Sequence, residues 1–386
     1  GLLENPYPNF DDFPKFGSEE HKNKSLQAAK ESITLVKNEN ILPLSTSTKI
    51  LVTGPGANSL NYLNGGWTHT WQGEETKYNT IGKKTIQESL KLLSKNITYM
   101  EGSSLDSNIN TLATLEEAKN HDVIVVCLTE APATEGPADI NSLDFPKAQQ
   151  NLVRELNKSG KPLVIITTTA RPRIMRDIEP LMDAILLAYL PGNEGGTAIA
   201  ETILGLNNPS GKLPFTYPKY QGLNITYDHK HTEKTNRFLG QTSSLSEYDA
   251  KFKGQLYQWD FGYGWSYSNF IYSNLKMDKK SYYKTDTLKI EVTVTNQSEI
   301  AGDEVIQIYC SDLVASITPC VKRLRGLKKT HLSANQSKTI KLSIPVKELA
   351  FVGSNNKWIV ESGEFKLKTN KLTQNFEIKE KVVVKT

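Results

Sequence analysis

Up to about residue 217 the chain alternates uninterrupted apolar runs with segments of helical period. ILV at 50–52, VIVVCL at 123–128, LVII at 163–166 and AILLA at 184–188 carry no in-and-out polar alternation. A strand that is apolar on both faces must be covered on both, so these runs imply a mainly parallel sheet between helices. The spacing places strands at 49–53, 97–100, 123–128, 163–168 and 184–188. Helices are expected at 19–37, 85–93, 112–120, 147–158 and 197–204. Right-handed crossovers then give an α/β doubly wound sheet.

From residue 271 the pattern changes to period two. LKIEVTVTN, EVIQIYCSD, KTIKLSI and GEFKLKTN alternate apolar and polar residues between turn signals. That is the signature of an antiparallel β-sandwich of about seven strands. The chain therefore divides into a leading segment and helix (1–47), an α/β domain (48–217), an extended connector (218–270) and an all-β immunoglobulin/fibronectin-III-like sandwich (271–386). The connector, rich in Tyr, Gly, Ser and Thr, is expected to pack over the α/β domain.

Bulk properties exclude several classes. A formal charge of +4 over 386 residues is too small to argue for nucleic acid or a membrane surface as partner. No apolar run approaches the ~20 residues of a bilayer span. The basic cluster KRLRGLKK alternates with leucines and reads as a half-exposed strand or hairpin in preference to a phosphate-binding patch. Three cysteines make no disulfide framework. Cys127 lies inside an apolar strand, whereas Cys310 and Cys320 flank a loop, and both a bridge and two free thiols fit that spacing. Six scattered histidines offer no metal-ligand spacing, and neither metal nor cofactor is expected. The opening LLENPYPNFDDFPKFGS has no secretory signal and reads as a linker leaving another domain.

Four segments carry chemistry. TGPGANS at 53–59 follows a strand and supplies Gly54 and Gly56, but Ser59 stands where a dinucleotide fingerprint needs its third glycine. Trp67 and Trp71 lie in a polar, Gly-containing stretch without helical period. Indoles there suit sugar faces, and the simpler reading is a pair of core or interface tryptophans. PGNEGG at 191–196 is mainly a helix N-terminus. The loop TEAPATEGPADINSLDFP holds Glu130 at the strand end and Glu135 in its middle. Most loop glutamates are simply solvated. Glu135, however, has Ala133, Pro137 and Trp71 as neighbours that would desolvate it and raise its pKa towards that of a general acid. Glu130 reads as a carboxylate that orients the loop without touching the substrate.

Taken in order, AAKESITLVKNENILPL, VTGPGANSLNYLNGGWTHTWQG, the carboxylate loop, SGKPLVIITTTARPRIM, AILLAYLPGNEGG, NPSGKLPFTYP and FGYGWSYSNF resemble glycoside hydrolase family 3. The resemblance runs from about Glu19 to Glu364 and is nearest the β-glucosidase and glucan β-glucosidase branch. It implies a fibronectin-type-III-like sandwich after the α/β domain and a retaining exo-acting enzyme on β-linked glucosides or oligosaccharides. It also implies a TIM-barrel domain or subunit as partner, supplying the nucleophilic Asp in a Ser-Asp-Trp context. No Ser-Asp-Trp occurs in this chain, so no nucleophile is assigned here. By resemblance Glu135 is the acid/base, Trp71 one wall of the +1 subsite, and Trp67 its support, although Gly136 and Pro137 depart from the Thr-Lys of plant members. The expectation is the C-terminal portion of a larger, periplasmic or secreted bacterial enzyme, inactive alone. The alternative is a non-catalytic carbohydrate-binding or interaction module.

Overall fold

The computed structural model describes residues 1–7, 9–223, 226–230 and 257–380, so parts of the expected connector and the last six residues lie outside the described residues. The chain groups into two compact units, Gly1–Pro209 and Ser210–Thr386.

In the first unit the elements run α1 (Glu19–Ser32), β1 (Thr34–Asn38), β2 (Ile50–Thr53), α2 (Ile86–Leu93), β3 (Ile97–Met100) and α3 (Thr111–Ala118). They continue with β4 (Val123–Thr129), α4 (Lys147–Asn157), β5 (Leu163–Thr168), β6 (Ala184–Leu187) and α5 (Gly195–Ile203). The sheet order is β1-β6-β5-β4-β2-β3. The pairs β2–β3, β2–β4, β4–β5 and β5–β6 are parallel. Every residue of β2, β4, β5 and β6 is buried, as their continuous apolar character requires. Thr85 and Glu88 close a reciprocal capping box that starts α2.

The expected helix at 19–37 is in fact a helix and a strand. α1 stops at Ser32, and β1 pairs antiparallel with β6, Thr34 opposite Leu187. Ile33, Thr34, Leu35 and Val36 are all buried. A surface helix buries one stripe, so four consecutive buried residues favour a strand covered on both faces. The glycines of TGPGANS are accounted for by packing. Gly54 has φ +91°, and a Cβ there would lie 2.6 Å from the Cys127 carbonyl oxygen, while Gly56 N–H donates to that same oxygen at 3.0 Å.

The second unit comprises β7 (Tyr217–Pro218), β8 (Tyr257–Trp259), β9 (Phe270–Met277), β10 (Ser281–Tyr283), β11 (Thr287–Asn296) and β12 (Gly302–Asp312). It continues with β13 (Arg323–Leu332), β14 (Ser337–Pro345), β15 (Phe351–Val352), β16 (Trp358–Ile359), β17 (Gly363–Thr369) and β18 (Leu372–Lys379). Two sheets, β10-β18-β17-β12-β13 and β14-β11-β9, form the sandwich. Their alternating inward residues, among them Leu288, Ile290, Ile306, Ile308, Phe365 and Phe376, make its core. Among the described residues the sandwich thus has eight strands. The extra one, β10, is three residues long and pairs parallel to β18, too short to show a period. KRLRGLKK falls mostly on β13. Cys127, Cys310 and Cys320 are all free thiols.

The described residues of the expected connector group with the sandwich unit. Tyr217 meets Trp259 edge-on at 4.9 Å between centroids, Tyr227 stacks on Phe261 at 4.0 Å, and both Tyr227 and Phe261 turn towards Tyr309 of β12. These aromatic residues, lacking a period of their own, pack on one another, and two of them meet that strand.

Candidate functional site

From β2 the chain moves outward to β3, then returns across β2 to β4 and continues to β5 and β6. The order reverses between β2 and β4, and the loops leaving their carboxyl ends open the crevice where such sheets bind ligands. The tryptophan loop follows β2 and the carboxylate loop follows β4.

The two loops are laced together. Trp71 Nε1–H donates to Glu135 Oε2 at 3.2 Å, and Thr134 N–H donates to Gln72 Oε1 at 2.8 Å. Gly66 lies against Thr134, where a Cβ would come within 2.6 Å of the threonine Cβ. Trp67 N–H donates to the Trp71 carbonyl at 2.8 Å and closes the turn between the indoles. From beneath, the buried Asn61 donates to the Gly73 carbonyl at 2.9 Å and accepts from Asn79 at 2.8 Å. Trp67 is 67% exposed and Trp71 48% exposed, so neither is a core residue of this chain.

Glu135 has φ 56° and ψ −147°, backbone that essentially only glycine adopts without strain. Its carboxylate is exposed, as are Gly136 and Pro137. The desolvation expected from Ala133, Pro137 and Trp71 is therefore absent in this chain. A short 3-10 turn, Gly136–Ala138, points the segment outward.

Glu130 is its opposite, 6% exposed. Oε1 accepts from the Ala170 and Arg171 N–H groups at 2.7 and 3.0 Å. Oε2 accepts from Arg171 Nε at 3.0 Å and from Arg173 Nε and Nη2 at 3.0 and 2.6 Å. The same arginines reach the far side of the loop. Arg171 donates to the Ala138 carbonyl, and Arg173 Nη1 donates to the Ser142 and Asp144 carbonyls at 3.3 and 3.2 Å. Gln149 of α4 completes the base: its amide accepts from Thr129 N–H and donates to Thr129 C=O, both at 2.9 Å, standing in for a neighbouring strand.

Arg171, Arg173 and Gln149 carry no motif that singles them out. The available signal is Arg-Pro-Arg directly after a buried strand, which places two cations beside the strand end that bears Glu130. The PGNEGG loop joins from the third side. Asn193 Oδ1 accepts from Asn64 at 3.1 Å, and the buried Glu194 pairs with Lys83 instead of capping α5 with its side chain. Among the described residues no three His, Cys, Asp or Glu gather as a metal site, and no helix is long and apolar enough to cross a membrane.

Chemically, of the loop's two glutamates only Glu135 is free to exchange a proton with a ligand, because both oxygens of Glu130 are occupied. Retaining glycoside hydrolysis needs a second carboxylate about 5–5.5 Å from the first, and Glu130 is committed elsewhere.

Comparison with known proteins gives one consistent answer. The model of the glycosyl hydrolase family 3 C-terminal domain matches residues 33–267, and that of the fibronectin type III-like domain matches residues 304–371. A lysosomal beta glucosidase of Dictyostelium discoideum is 36% identical over 95% of this chain and 45% of its own length. A periplasmic beta-glucosidase of Salmonella typhimurium is 31% identical over 89% of this chain and 48% of its own. The crystal structure of a Listeria innocua beta-glucosidase in complex with gluconolactone superposes with a TM-score of 0.86 at 27% identity, covering 98% of this chain and 52% of that one. The chain spans about half the length of the curated relatives it matches.

Proposed function

Because this chain belongs to glycoside hydrolase family 3, we propose that it supplies the proton-transfer half of a retaining β-glycosidase active site. Glu135 protonates the departing glycosidic oxygen as the bond to the anomeric carbon breaks, and a carboxylate of a partner barrel domain forms the glycosyl ester. Water then displaces that carboxylate while Glu135 takes up the water's proton. Trp71 lends a face to the sugar on the leaving-group side, and Trp67 holds the turn. Glu130 orients the loop through Arg171 and Arg173.

The observation that carries this reading is the Trp71–Glu135 hydrogen bond, made between two loops at the reversal of the sheet. Support for a barrel partner comes from the half-length coverage of the relatives and from apolar surface on the first unit. Leu2, Leu3, Phe10 and Phe16 stand exposed there with Trp67. The names of the relatives favour a β-glucoside as substrate, and that of the Salmonella protein favours export to the periplasm.

The test is hydrolysis of aryl β-glucosides by the purified chain alone and by the chain joined to a family 3 barrel. Alone it should be silent. With the barrel, Glu135→Gln should slow substrates with poor leaving groups by about 10²–10⁴-fold. It should leave kcat/KM for dinitrophenyl glucosides nearly untouched, because their departure needs no proton, while their kcat falls as the glycosyl ester waits for a base. Turnover by the chain alone, abolished in Glu135→Gln, would overturn the incompleteness. A loss independent of the leaving group would overturn the acid role. Sugar binding lost in Trp71→Ala, with no barrel restoring activity, would favour a binding module.

A further inference from the structure

The sandwich unit holds a second concave site that the chemistry above does not use. A cavity of about 190 Å³ lies among the end of β12, the start of β13 and the β15–β16 hairpin. Its walls include Asp312, Arg323, Arg325, Phe351, Trp358 and Phe365. Phe365 is buried, and Trp358 stands 71% exposed.

Two polar groups in this cavity are under-used. The half-buried guanidinium of Arg325 donates to the Ala350 carbonyl at 3.4 Å, and among the described residues no carboxylate comes within 4.0 Å of it. Burial, and next the charge of Arg323, lower its pKa against the weaker opposing pull of Glu348, and a partly buried cation without a close counter-charge is costly to hold. Asp312 accepts from Val314 N–H through Oδ1 at 3.2 Å, but its buried Oδ2 has no partner among the described residues. Burial, and then the charge of Glu361, raise its pKa. A guanidinium without a counter-ion accepts a carboxylate in paired hydrogen bonds. An unpartnered carboxyl oxygen suits a hydroxyl, and an exposed indole offers a face to a ring that is apolar on one side.

We propose that this cavity binds an acidic sugar residue of the hexuronate class, with its carboxylate on Arg325, a hydroxyl on Asp312 and its ring on Trp358. One ligand with an acid, hydroxyls and an apolar face answers all three groups, whereas a neutral sugar leaves Arg325 unpaired. The site belongs to the sandwich unit and would hold the protein on uronate-containing glycans.

The experiment is calorimetric titration of the full chain with glucuronate, glucose and a hydroxycinnamate. Glucuronate should bind in the millimolar range and glucose at least about tenfold more weakly. Arg325→Gln should erase the preference between the two, and Trp358→Ala should weaken both, each variant melting at the parent temperature. Trp358 is exposed, so its substitution keeps the test valid if the arginine variant melts lower. Equal affinity for glucose and glucuronate, glucuronate binding that survives Arg325→Gln, or hydroxycinnamate binding without glucuronate binding would each overturn the proposal.

Discussion

The two units turn their chains in different ways. Among the described residues, the non-glycine positions with positive φ in the sandwich unit are Asn274, Asn335, Asn356 and Asn370. Asparagine tolerates that region because its short amide bonds locally. In the α/β unit they are Asn40, Trp67, His69, Glu135 and Tyr189. Four of those five are bulky or long side chains for which the conformation costs about 1–3 kcal/mol each. Three of the four lie on the loops after β2 and β4, and Tyr189 follows β6. The sandwich uses residues that tolerate its turns. The α/β unit instead holds unsuitable residues in strained backbone where the candidate site lies, and the lacing around Trp71, Gln72 and Asn61 keeps them there.

This contrast can be broken most forcefully at Glu130. Arg173→Leu removes two of its donors and leaves a buried charge short of partners. The first unit should lose about 3–5 kcal/mol. Thiol alkylation across a urea series reads the units separately. Cys127 belongs to the first and Cys310 to the second, both are buried, and burial pushes both thiols up, Cys310 to about 12. The Cys127 midpoint should fall while that of Cys310 stays; equal shifts would show one cooperative molecule. Gln149→Leu strands the buried N–H and C=O of Thr129 and should cost the first unit about 2 kcal/mol by the same readout. Glu135→Gly should stabilise that unit by about 1 kcal/mol while removing the carboxylate proposed as proton donor. The control in the sandwich, Asn335→Gly, should move stability by less than about 0.5 kcal/mol. If the two glycine variants gain equally, strain is not concentrated at the site.

Much of this architecture is legible from hydrophobic period alone, because burial on two faces or one writes different patterns in β4 and β11. β1 escapes because Ala29, Ile33 and Val36 continue a helical spacing, and its true partner, β6, lies about 150 residues away. β10 escapes because three residues cannot display an alternation. Within the site, Glu135, Trp71 and Trp67 stand out by residue type and by the resemblance that connects them. The exposure of Glu135 does not, since solvation depends on which way a turn faces. Arg171 and Arg173 are unremarkable as sequence, and their role follows from β5 running beside β4 in parallel register.

The loop from Glu130 to Pro146 is closed at its base twice over, by the Gln149 amide on Thr129 and by two arginines on Glu130. The arginines also hold the stretch that carries Glu135, but they do so through the Ala138, Ser142 and Asp144 backbone carbonyls. Side chains between those anchor points can therefore change at constant loop length without disturbing the closures or the sheet's hydrogen bonding, and what the loop admits can be altered without refolding the unit.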